Sequence, residues 1–332
     1  MKKYFSVFFA AMMALSCFTA CGSDSTATKE KANSGSKSLQ IVTTIFPEYD
    51  WVKNILGEES SHADITMLLD NGVDLHSYQP TADDILKVST CDLFLYVGGE
   101  SDAWVEDALK NATNKEMQVI NLMDVMGDAA KEEEVVEGMQ PEEEEEEEGS
   151  EEEPELDEHV WLSLKNASVF CDAIAGALEK LDPDHAETYH NNASEYKSEL
   201  NNLDSGYQSA VENAAQKTLL FGDRFPFRYL VDDYGLSYYA AFVGCSAETE
   251  ASFETITFLA NKIDELGLKH VMTIEKSDQK IAKTIIENTA EKNQDILTLD
   301  SMQSTTSDDV ANGVTYLSIM ENNLIVLQKA LQ

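Results

Sequence analysis

The chain has 332 residues and a formal charge of −39, from 62 acidic against 23 basic side chains. That balance excludes a nucleic-acid binder, whose phosphate contacts need Lys and Arg, and it favours cations as partners. Five cysteines without a CxxC exclude a zinc ribbon.

The first twenty residues, MKKYFSVFFAAMMALSCFTA, place two lysines before an apolar run. That run is too short and too poorly flanked for a spanning helix and reads as a secretory signal. Phe18-Thr19-Ala20-Cys21 resembles a bacterial lipobox, which implies cleavage before Cys21 and lipidation of that residue. An ordinary signal cut elsewhere is the alternative. Residues 21–38 are small and polar, a flexible tether, so the chain is expected outside the cytoplasm, anchored to the cell membrane as a lipoprotein. Cys91, Cys171 and Cys245 remain in the body, enough for one disulfide at most, with its pairing left open.

LQIVTTIFPEYDWVKNILG (39–57) starts as a β-branched run, turns at Pro47 and continues with helical periodicity. ADITMLLD (63–70) is a second strand, and Thr81 caps a helix in PTADDILKVSTC (80–91). CDLFLYVGG (91–99) is a buried strand, followed by a helix in SDAWVEDALKNA and a strand in QVINLMD (118–124). Residues 132–158 then carry 17 Asp and Glu and no Lys or Arg; without them the charge is still −22. A disordered acidic insert is expected at about 131–156.

WLSLKNASVFCDAIAGALEKL reads as a helix, and 182–216, with few breakers, as a stiff spine helix. TLLFGD (218–223), LSYYAAFV (236–243), HVMTIE (270–275) and DILTLD (295–300) are strands between helices at 226–234, 251–266 and 278–290. A closing helix lies in GVTYLSIMENNLIVLQKALQ. Strands alternating with helices imply an α/β fold with parallel sheets. The roughly 290 residues after the tether exceed what one core serves. The expected organisation is an amino-terminal lobe (39–181), the spine (182–216) and a carboxy-terminal lobe (217–332), with a cleft between the lobes.

Of six histidines, His62, His185, His190 and His270 read as structural or exposed. His76 follows a strand end in a Gly-bearing loop, where open α/β sheets bind ligands, and His159 ends the acidic tract just before a helix. GVDLHSYQPTADDI, CDLFLYVGGESDAWV, DEHVWLSLKNA, RYLVDDYGL, GCSAETEAS and IEKSDQKIAKTI, in this order, resemble the zinc- and manganese-binding lipoproteins of bacterial ABC importers. The resemblance runs from about residue 40 to the end and implies two lobes on a rigid helix with metal in the cleft. It also implies His76 and His159 as ligands of the first lobe, Asp300 as a carboxylate ligand, and Glu275 as an alternate or supporting one. At the family's third-ligand position, a His or Glu, this chain has Arg224, which has no lone pair to offer. Its neighbour Asp223 is then the substitute ligand, or the two simply pair. Zinc-binding relatives carry a His-rich acidic loop where the acidic tract lies; here no histidine precedes His159 in the tract. Oxygen donors alone suit weak, labile capture, and a cation funnel and a solvated loop both stay open as readings.

The function this implies is high-affinity Zn2+ capture and delivery to the permease and ATPase of an ABC importer, by a monomer that is not an enzyme. Two imidazoles with one or two carboxylates also accept Mn2+, so a manganese binder is the alternative. A metallohydrolase is the competing class, with Glu158 the one general-base candidate beside the histidines and no HExxH or GxSxG. A surface adhesin, indifferent to metal, is a third.

Overall fold

The computed structural model describes residues 38–140, 155–246 and 250–332. The signal, the tether with Cys21, and residues 141–154 of the acidic tract lie outside them. Strand β1 (Leu39–Thr43) buries Ile41 and Val42, and α1 (Phe46–Leu56) follows with Pro47 in its first turn, where a missing N–H is no loss. Glu48 folds back to accept the Thr44 and Ile45 N–H groups at 2.8 and 3.3 Å. β2 (Ala63–Met67) leads to α2 (Ala82–Thr90), started by a reciprocal cap between Thr81 and Asp84. β3 (Leu93–Tyr96), α3 (Trp104–Lys110), β4 (Gln118–Asn121) and α4 (Leu122–Met126) complete the first lobe's sheet. The strand expected through Asp124 stops at Asn121, because the Asn121 side chain accepts the Asp124 N–H at 3.2 Å and opens α4.

After the acidic tract come α5 (Leu164–Leu181) and the 27-residue α6 (Ala186–Glu212), about 40 Å long. The second lobe runs β5 (Thr218–Phe225), α7 (Arg228–Tyr234), β6 (Ser237–Val243), α8 (Phe253–Leu266), β7 (His270–Ile274), α9 (Lys280–Asn288), β8 (Asp295–Leu299), α10 (Ser307–Ala311) and α11 (Tyr316–Ala330). Both sheets are parallel with one strand order, β2-β1-β3-β4 in the first and β6-β5-β7-β8 in the second.

The spine is amphipathic: Tyr189, Ala193, Tyr196, Leu200, Tyr207 and Val211 form its buried stripe at helical spacing. It is tied to both lobes. Asn192 donates to the Ile55 carbonyl at 2.9 Å, and the Tyr207 hydroxyl to the Met320 carbonyl at 2.6 Å. Helix α11 reaches back to the first lobe, where Tyr316 stacks edge-on against Trp51 with ring centroids 5.2 Å apart. Trp51 is fully buried, so truncation to Ala would cost about 3–5 kcal/mol. One continuous apolar cluster joins the lobes through these helices, and a smaller one under α8 and α9 belongs to the second lobe alone.

The expectation of a disordered insert at about 131–156 needs correcting at its two ends. Residues 131–133 pair with 155–157: Glu133 N donates to Glu155 O and Asp157 N to Lys131 O, both at 2.8 Å. From there the chain lies along the second lobe, with Gln140 N on the Ala241 carbonyl at 2.9 Å and Met139 buried. Glu134 forms an ion pair with Arg228. These acidic residues fold because specific cations and backbone donors meet them, which a count of charges does not reveal.

Candidate metal centre

His76 is set by a single 3-10 turn, Leu75–Ser77, whose first N–H groups are capped by Asp74; its Oδ1 accepts from His76 N at 3.1 Å. The imidazole Nδ1 lies 2.8 Å from the Ser101 hydroxyl and 3.5 Å from Glu158 Oε2. His159 is fully buried and starts the turn Val160–Leu162. Asp157 Oδ1 takes both its backbone N–H, at 2.9 Å, and its Nδ1, at 3.1 Å. Each ring is thus oriented from behind through Nδ1, which leaves Nε2 to face forward.

The two Nε2 atoms face each other at 3.1 Å. Facing imidazole nitrogens this close need one proton between them, since two lone pairs would repel. Burial, and after it His159, hold His76 well below the ordinary imidazole value. Burial pulls His159 down too, but Asp157 and Glu158 outweigh it and His159 stands above that value. The proton therefore belongs to His159 and is donated to His76.

The glycines around this pair are there for room. Gly99, at φ +77°, is packed so closely on the Glu158 carboxylate that no side chain fits, and Glu158 Oε1 accepts from Ser101 N at 3.0 Å. A Cβ on Gly244 would stand 2.8 Å from His159 Cε1. Gly244 brings the loop after β6 onto the imidazole, and the next residue is Cys245. His76, His159 and Cys245 present donor atoms all within 4.8 Å of one another, the one such group among the described residues. Burial, then Glu133, Asp157 and Glu158, raise the thiol well above its ordinary value. Cys91 and Cys171 are buried, and all three thiols are free.

Of the five expected ligands, this group contains His76 and His159. Asp223, Glu275 and Asp300 stand outside it, for reasons visible in their contacts. Asp223 accepts from Arg224 N at 2.9 Å and Ile274 N at 3.4 Å. Glu275 organises the loop after β8, taking Ser301 N at 2.7 Å, the Ser301 hydroxyl at 2.8 Å and Gln303 N at 3.1 Å. Asp300 accepts from Met302 N at 2.8 Å, and burial together with Glu275 pushes its carboxyl up to about 6. Arg224 reaches away from Asp223, its Nη2 on Asp74 Oδ2 at 2.6 Å and its Nη1 on the Ser246 carbonyl at 3.4 Å. Asp74, Asp223, Arg224, Glu275 and Lys276 line a cavity of about 440 Å³ between the lobes. The thiol was the residue missed from sequence. Its one signal was position, in the GCSAETEAS segment that carries part of the family resemblance.

Residues 41–330 match the family model of the zinc-uptake complex component A, periplasmic. The high-affinity zinc uptake system protein ZnuA of Bacillus subtilis is 31% identical over 334 residues, which covers 99% of this chain and 98% of that protein. The zinc-binding protein AdcA of Streptococcus pyogenes serotype M6 is 27% identical over 87% of this chain; there the chain spans about half of its relative, 55%. The crystal structure of the Zn(II)-bound ZnuA-like domain of Streptococcus pneumoniae AdcA superposes with a TM-score of 0.68 at 28% identity, covering 89% of this chain and 99% of that one. With its two parallel lobes, its long helix and this match along the body, the chain belongs to the family of the periplasmic component A of zinc-uptake complexes.

Proposed function

We propose that the chain captures Zn2+ outside the cytoplasm, tethered to the membrane through a lipid on Cys21, and delivers it to the permease of an ATPase-driven ABC importer. The observation that carries this reading is the pair of facing Nε2 atoms, 3.1 Å apart. Two nitrogens on a tetrahedral zinc at 2.0–2.1 Å stand about 3.3 Å apart. The imidazoles are therefore spaced for a cation in the place of the shared proton, and their Nδ1 partners fix the tautomer that ligation needs.

The geometry also argues against hydrolytic use. Glu158 approaches His76 at Nδ1, on the far side of the ring from a metal at Nε2, so it supports the ligand rather than a metal-bound water. Competition titration of the metal-stripped protein with Zn2+ and Mn2+, beside His76→Ala, tests the proposal. One tight Zn2+ site, lost in the variant, is expected. Equal competition by Mn2+ would shift the reading to a manganese carrier, and unchanged binding in His76→Ala would refute the site.

A further inference from the structure

The loop after β6 is held at three successive residues beside the imidazole pair. Gly244 lies against the His159 ring. Cys245 N donates to Glu133 Oε1 at 3.1 Å, from the folded stem of the acidic tract. The Ser246 carbonyl accepts from Arg224 Nη1 at 3.4 Å, while Arg224 Nη2 holds Asp74, two residues before His76. The guanidinium thus links the turn that carries one imidazole to the loop that carries the thiol. Backbone atoms and a glycine fix the loop, and the Cys245 thiol itself donates to the Glu133 carboxylate. The sulfur is in no disulfide, is partly exposed, and lies within 4.8 Å of a donor nitrogen of each imidazole.

Resting on the zinc-capture reading above, the geometry points to Cys245 as the third ligand: a thiolate from the second lobe closes the site that His76 and His159 begin. Arg224 and Glu133 act as positioning residues for its loop. On metal binding the S–H bond breaks, its proton leaves to solvent, and a sulfur–metal bond forms. A tetrahedral zinc with sulfur at about 2.3 Å places that sulfur about 3.6 Å from the nitrogens. The present spacing, within 4.8 Å, differs from this by no more than about 1.2 Å. A donor set of two imidazoles and one thiolate suits Zn2+ and disfavours Mn2+, which prefers oxygen.

Cobalt(II) tests this directly, because only a thiolate ligand gives an intense sulfur-to-cobalt charge-transfer band in the near ultraviolet. The wild-type protein loaded with Co2+ should show the band, and Cys245→Ser should lose it while retaining its circular dichroism spectrum. Zn2+ should also protect Cys245 of the wild type from alkylation by iodoacetamide, read by peptide mass spectrometry, which needs no variant. Cobalt bound one-to-one without the band, with Cys245 alkylated equally with and without Zn2+, would overturn the assignment and leave the two-histidine site standing. If the wild type bound neither Co2+ nor Zn2+, the zinc-capture reading itself would fall, and this assignment with it.

Discussion

The two lobes share a strand order and differ in what they place at the strand ends. In each, a parallel sheet runs second-first-third-fourth, and the loop after the second strand reaches the cleft. In the first lobe that loop brings His76; in the second it brings Cys245. The first lobe adds His159, with carboxylates behind its imidazoles. The second lobe has carboxylates of its own, but Glu275 and Asp223 are occupied by backbone N–H groups and Asp300 by Met302 N. Topology fixes where a ligand can stand. Which side chain remains free to bind is decided by its neighbours.

The strongest test of that contrast is Asp157→Asn in the first lobe. Asp157 orients His159 and stabilises its charge, so its loss should weaken Zn2+ binding about 10–100-fold in a competition titration. An unchanged affinity would mean that the imidazole needs no support from behind.

Next in size is pH. Asp157 keeps His159 protonated above the ordinary imidazole value of about 6.5, and zinc must displace that proton. Zinc affinity should therefore fall about tenfold per pH unit for each proton displaced, and most steeply below the raised His159 value, where the imidazole proton adds to that of the Cys245 thiol. The metal-free protein behaves with the opposite sign. A histidine raised in the folded state stabilises it at low pH, and that contribution is lost as the pH rises through the folded value. Thermal melts with and without zinc across pH 5.5–8 should diverge as the pH rises, and parallel curves would remove His159 from the site.

The smallest effect is expected in the second lobe. Asp300→Asn keeps an acceptor for Met302 N and removes a carboxyl that burial, and after it repulsion from Glu275, raises to about 6. Zinc affinity should change by less than about twofold, the range of a residue that does not touch the ion. A loss as large as that of Asp157→Asn would return Asp300 to the ligand set and end the contrast between the lobes.

How far the site could be read from sequence followed the range of the interactions. His76 and His159 each sit in a local motif with its own caps, Asp74 two residues before His76 and Asp157 two before His159. Asp300 and Glu275 were expected as ligands from the family resemblance, and both stand at strand ends, where cleft residues collect. Their contacts with Ser301, Met302 and Gln303 depend on how the loop after β8 folds over β7, which no spacing in the chain encodes. The acidic stem was misread for a similar reason. Glu133 and Glu134 fold because Cys245, more than a hundred residues away, and Arg228 come to meet them.

Composition and local pattern by themselves determined the acidic character, the alternation of strand and helix and the long spine, because charge, hydrophobic period and capping act within a few turns of chain, and the ordered motifs of the family resemblance marked the two histidines. Only the tertiary structure decided that the imidazoles meet at 3.1 Å, that Arg224 holds Asp74, and that a thiol from the other lobe joins them. Those contacts join residues 83, 150 and more positions apart in sequence. Their energies depend on burial and distance, which exist only once both sheets and the spine have packed.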